Sequence, residues 1–155
     1  MERGFSMIKE DQRGSVLSVE FLIVTIMVVI LAFGAMDYWL IQVKAQHAEH
    51  IKNYYLDRMR VEGHLTATDE VGLLDRFEDA GFKRESVVLE GTVASLGAAR
   101  VLRNVADPTT SEVALRVKVQ PNTKPFLMGR LLRVDSEGEF EIVVAGRALS
   151  ERVAE

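Results

Sequence analysis

Residues 16–36 read VLSVEFLIVTIMVVILAFGAM, and Glu20 is the one charged residue among them. From Phe21 to Met36 there is no charge at all. A bilayer-spanning helix needs about 20 apolar residues. The flank 16–19 before Glu20 and the stretch 38–41 beyond Asp37 bring the segment into that range. The only polar interruption of the uncharged run is Thr25, and a threonine hydroxyl can bond its own helix backbone. A soluble core helix would carry a polar face, which this run lacks, so the pattern predicts a membrane anchor over 16–41. The competing reading, a helix buried at the centre of the fold, suits a larger protein than a chain of 155 residues.

The helical pattern continues beyond the anchor. Tyr38 and Trp39 fall where aromatic side chains mark a membrane boundary. Leu40, Val43, His47, Ile51, Tyr54, Arg58 and Val61 then recur at three- and four-residue spacing, a stripe broken only by the histidine and the arginine. No proline or glycine interrupts residues 37–62, and Gly63 supplies a stop. At the other end, Ser15 is a reasonable N-cap, and residues 1–15 read as a short mobile leader of mixed charge. One helix over 16–62 would be about 70 Å long. Its first half is apolar all round and its second half on one face.

The remainder, 63–155, predicts a small α+β domain laid against that second half. Residues 63–67 read as a linker, and Thr68 with Asp69 and Glu70 as the cap and first turn of a short helix. Val71, Leu74, Phe77 and Ala80 line one side of it, and Gly81 ends it. Alternation then predicts strands at 86–93 and, most clearly, at 112–119. Residues 96–105 fit either a weak strand or a helical turn or two before Asp107 and Pro108. A turn at 120–125, a strand at 126–134 bulged at Gly129, a turn at 135–138 and a last strand through Phe140, Ile142 and Val144 complete the pattern, with 147–155 left unpatterned. The fold class is therefore α+β: a long N-terminal transmembrane and amphipathic helix packed on a small antiparallel sheet.

Charge and composition narrow the function. A net charge of -4 argues against nucleic acid as a partner, because that role needs a basic face. With no cysteine there is no disulfide, thiolate nucleophile or cysteine–metal site. Arg3, Lys9 and Arg13 ahead of the anchor favour a cytoplasmic N-terminus, whereas Lys44, Lys52, Arg58 and Arg60 beyond it compete. A cleavable secretory signal fits poorly, since Gly34 and Ala35 are followed by Met36, Asp37 and Tyr38 and not by a small-x-small site. His47 and His50 are spaced to share a helix face, but with His64 they form no recognised ligand pattern and read as solvated or capping residues, not metal ligands. No phosphate loop, zinc-protease pair or serine elbow is present. The expectation is a protein that is not an enzyme and holds no cofactor.

The stretch Arg13, Gly14, Ser15, Val16, Leu17, Ser18, Val19, Glu20, Phe21, opening a long apolar helix, resembles the start of type IV pilin-like proteins. It is most similar to the TadE-like pseudopilins of tight-adherence (Flp) pilus systems. The resemblance implies cleavage of a short leader by a prepilin peptidase, an extracytoplasmic head, and a mature helix whose glutamate at the fifth position sets register between subunits. It implies processing at Gly14, Ser15 and Val16, an assembly role for Glu20 and Phe21, and as partners other pilin-like subunits, membrane assembly proteins and the bilayer. A cut after Gly14 makes Glu20 the sixth mature residue, and a cut after Ser15 makes it the fifth. The alternative is an unprocessed bitopic membrane protein whose outer domain binds a partner.

Overall fold

The computed structural model describes the backbone of residues 4–123 and 140–153, and side chains from residue 17 onward within them. The expected strand 126–134 and turn 135–138 lie outside the described residues, as do the side chains of Gly14, Ser15 and Val16.

One helix, α1, runs Gly4–Glu62. It starts well before the expected cap, so Ser15 lies inside it. Met7, Ile8, Lys9, Glu10 and Gln12 are acceptable helix formers, and extending an existing helix through them avoids the cost of a new nucleus. The first proline of the chain is Pro108, so nothing in α1 removes a ladder hydrogen bond.

Gly63 closes α1 in the left-handed region, φ 79°, with its N–H donating to Met59 O at 2.8 Å. The expected linker 63–67 is a packed corner: Leu65 is fully buried and pairs with Val93, its N–H donating to Thr92 O at 2.9 Å. Helix α2 spans Ala67–Asp79 and is capped by Thr66, not Thr68. The Thr66 hydroxyl accepts from Asp69 N–H at 3.2 Å and donates to the Asp69 carboxylate at 3.0 Å, a reciprocal cap that uses the acid three residues on. Its buried side is Asp69, Leu73 and Phe77; Val71 is exposed.

Three antiparallel strands follow among the described residues: β1 Val88–Gly91, β2 Glu112–Val119 and β3 Ile142–Leu149, in spatial order β1-β2-β3. β2 alternates as its sequence predicts, with Val113, Leu115, Val117 and Val119 buried. Val117 faces Leu89 on one side and Val144 on the other. β1 is shorter than expected because a 3-10 turn occupies Arg84–Ser86. Residues 97–105 adopt neither of the two expected regular forms. The last strand starts after Phe140 and runs through Gly146 to Leu149, so Arg147 belongs to it, paired with Ala114.

α1 lies on the buried face of this sheet and α2 packs against α1, so helices and sheet enclose one core. Ala48, Ile51, Tyr55, Leu56 and Met59 enter that core from α1; Phe77 meets Phe82 edge-on at 5.5 Å. The packed face of α1 is therefore turned by about 100°, one residue step, from the expected stripe. Ile51 is buried as predicted, but His47, Tyr54, Arg58 and Val61 are exposed.

Lys52 explains part of that turn. It is 3% exposed, and its ammonium donates to Ala145 O at 3.0 Å and to the Glu49 carboxylate, so its charge is paired on the packed face. A Cβ on Gly146 would stand 2.9 Å from Lys52 Nζ and from Leu56 Cδ2, so a larger residue there would push these side-chain ends aside.

Gly63 offers a direct test of the corner. A Cβ there would stand 2.5 Å from Val101 O, whereas at Gly97, φ 78°, nothing lies within 4 Å. Gly97→Ala should cost only the left-handed backbone term, about 1–2 kcal/mol. Gly63→Ala adds displacement of a backbone carbonyl and should lose at least about 1 kcal/mol more. Urea unfolding of the two variants compares them; equal losses would show that Val101 is not seated on the corner.

Candidate functional site

The residues most distinctive in exposure belong to the first half of α1. None of its most apolar 18-residue window is buried against the rest of the protein. Phe21 is 74% exposed, Leu31 72% and Met36 65%, and the intervening aliphatic side chains are exposed on all sides of the helix. Among the described residues the domain supplies no cover for the segment, which speaks against the buried-core reading. The Thr25 hydroxyl donates to Phe21 O at 2.8 Å, so the one polar side chain of the run is satisfied inside its own helix. A surface of this kind is stable only where water is absent. One helix of the described chain is thus long and apolar enough to cross a membrane.

Glu20 is exposed between Val19 and Phe21, themselves 56% and 74% exposed. Among the described residues, nothing from the domain approaches this end of the helix. Tyr38 and Trp39 are exposed at 58% and 69% at the other end of the run, the placement of a boundary pair. Asp37 beside them is buried at 8%, which the apolar pattern did not anticipate.

Beyond the boundary, α1 becomes the spine of the domain. Arg58 pairs with buried Asp69 of α2 at 2.7 Å, and Arg76 of α2 lies over the Tyr54 ring at 4.0 Å. Tyr54 and Tyr55 meet edge-on at 5.1 Å. Hydrogen bonding to Tyr54, with the Asp69 charge behind it, raises the Arg58 pKa; burial raises that of the Tyr55 phenol. The residues expected on the packed stripe, Tyr54 and Arg58, thus clamp α2 from the side. On the outer sheet face Lys118, hydrogen-bonded to Glu90, holds that carboxyl below the ordinary glutamate range.

The histidines do not converge. His47 and His50 share an open cleft with Arg76 and Asp79, and His64 sits at the far end of α1 with a ring nitrogen 3.4 Å from Glu62 O. Among the described residues no three His, Asp or Glu side chains are grouped to hold a metal ion. No protein-family model matches the chain, no curated protein matches it, and no solved structure matches it.

Proposed function

We propose that this is a bitopic membrane protein. The apolar half of α1 crosses the bilayer, and the second half carries the small domain into the aqueous phase beyond, where it binds a partner. The observation that carries this reading is the uncovered apolar window of α1. Residues 21–36 contain ten Leu, Ile, Phe and Val. At roughly −0.3 to −0.6 kcal/mol each, they favour insertion by about 3–6 kcal/mol. A charge at the centre of the span would cost about 2.5–3.5 kcal/mol, but Glu20 lies at one end, where the cost is smaller. Arg3, Lys9 and Arg13 support a cytoplasmic N-terminus and an extracytoplasmic domain.

A second reading makes the same protein a pilin-like subunit, cut near Gly14, whose helix packs with others in an assembly. Glu20 favours it, because a plain anchor has no use for an exposed carboxylate between Val19 and Phe21. Cleavage would create a free amine at Ser15 or Val16, roughly 6–8 Å from Glu20 along the same helix. That separation favours a pair between staggered neighbours over one within a single subunit.

Four measurements test these readings. The protein should stay in the pellet after carbonate extraction, and protease added to intact spheroplasts of an expressing bacterium should remove residues 63–155. Release by carbonate would overturn the anchor, and protection of the domain until lysis would reverse the topology. Intact mass of the membrane form separates the two functions: a chain beginning at Ser15 or Val16 supports the pilin-like reading, and retained leader supports the unprocessed one. Finally, Glu20→Gln keeps size and most hydrogen bonding but removes the charge. At equal membrane levels it should lower crosslinking between copies or with pilin-like partners severalfold; unchanged yield would leave Glu20 as an interfacial acid without a role in register.

A further inference from the structure

The end of the domain remote from the apolar run carries a small cleft that the anchor does not require. Three backbone hydrogen bonds locate it. Val101 N–H donates to Gly63 O at 2.9 Å, Arg103 N–H to Arg152 O at 2.7 Å, and Glu151 N–H to Arg60 O at 2.7 Å. The loop after Val101 and the segment after β3 are thereby tied to the last turn of α1. That turn lies about 40 Å along the helix from Met36. A headgroup layer is only about 5–8 Å thick, so lipid does not reach the cleft.

The cleft holds about 170 Å³, between Arg103, Val105, Pro108 and Leu149, with Ser111 and Ser150 as its floor. That is too small for a typical small-molecule site and suits a single inserted side chain. The floor is already satisfied: Ser150 Oγ donates to Val101 O at 2.7 Å, and Ser111 Oγ accepts from Asn104 N–H at 2.6 Å. The walls are not. Val105 is 80% exposed and Leu149 55%.

Charge separates this end from the rest of the chain. Arg60 pairs with Glu151, Arg152 with Glu62 and Arg147 with Glu112, so those cations are neutralised locally. Arg100 and Arg103 are exposed, and among the described residues their guanidinium groups have no ion pair or hydrogen bond. Asp107, the carboxylate in the same loop, is turned to Thr109, accepting from its N–H at 3.1 Å and from its hydroxyl. In a chain of net charge -4, unpaired Arg103 on the cleft wall, with Arg100 three residues earlier in the same loop, forms a local site for the opposite charge beside the uncovered aliphatic walls. The loop is already ordered, since Asn104 Oδ1 accepts from Ala106 N–H at 3.0 Å and Asp107 N–H at 3.2 Å, which lowers the entropy cost of binding.

We infer that this cleft binds an acidic polypeptide segment in which an aliphatic side chain enters between Val105 and Leu149 while a neighbouring Asp or Glu meets Arg100 and Arg103. A polyanion without apolar groups would leave the walls in water, and two free cations are too few for nucleic acid. The inference rests on the reading of the protein as a membrane-anchored binding domain, and names the chemistry of its partner.

The test uses the full chain in lipid nanodiscs and fluorescein-labelled peptides read by anisotropy. The probe is GSLEVDLSG, compared with its amide counterpart GSLQVNLSG, a counterpart with serine at each aliphatic position, and polyglutamate. The acidic aliphatic peptide should bind, and each altered probe should bind at least about tenfold more weakly. The double substitution Arg100→Gln with Arg103→Gln, and separately Val105→Ser, should weaken the probe by a similar factor while leaving the melting curve unchanged, because all three side chains are exposed. Absence of binding, equal binding of the amide peptide, or equal binding of polyglutamate overturns the proposal. Insertion of the same preparation, checked by carbonate extraction, reports separately on the anchor.

Discussion

The structure depends on the continuity of one helix through two kinds of surface. α1 is uncovered and apolar over its first half and gripped by the domain over its second, and neither proline nor a stop lies between. An interior proline would cost roughly 3 kcal/mol and introduce a kink. Without one, the height and rotation of the domain are set by where its side chains seize α1. They seize it along its length: Lys52 on Ala145, Arg58 on Asp69, Arg60 on Glu151 and Glu62 on Arg152. β3 runs alongside in the same sense, so these contacts climb helix and strand together.

The anchor was legible in the sequence because it rests on composition alone. β2 was legible because its alternation is undisturbed from Val113 to Val119. The packed face of α1 was not, and the reason is electrostatic. A periodicity argument sends charged residues outward, yet Lys52 lies on the packed face, with its partners Glu49 and Ala145 holding it there. Ala145 is remote in sequence, so no local pattern reveals it. Asp69 misled in the same way: its pairing with Arg58 and its reciprocal cap with Thr66 put a carboxylate on the buried side of α2. The T-x-x-D spacing of that cap was present in the sequence and was the available signal. Gly146 read as a strand end but is the point where the strand makes room for Lys52 and Leu56.

The candidate sites divide along the same line. Glu20, Tyr38 and Trp39 stand out because each contrasts with an apolar neighbourhood that local sequence defines. The distal cleft draws on three separated stretches, around residues 60–63, 101–111 and 147–153, joined by backbone hydrogen bonds that side-chain patterns do not encode. Arg103 and Val105 are ordinary loop residues in the sequence. They become distinctive only when Arg60, Arg147 and Arg152 are seen to be paired and Arg100 and Arg103 are not.

Anchor and domain are energetically separable although they share a helix. Among the described residues the apolar window contributes no buried surface to the core, so it does not stabilise the domain, and the domain does not cover it. Among the described residues, the hydrophobic core draws on α1 from Ala45 onward. What links the halves is helix geometry, and Gly63 marks where that link ends. There the chain leaves the helix in a conformation that favours glycine, with Val101 O close enough to exclude a side chain. The same corner that stops the helix therefore seats the loop carrying Arg100, Leu102 and Arg103. Its position relative to the apolar run is inherited from α1 through that close approach and the Val101–Gly63 hydrogen bond.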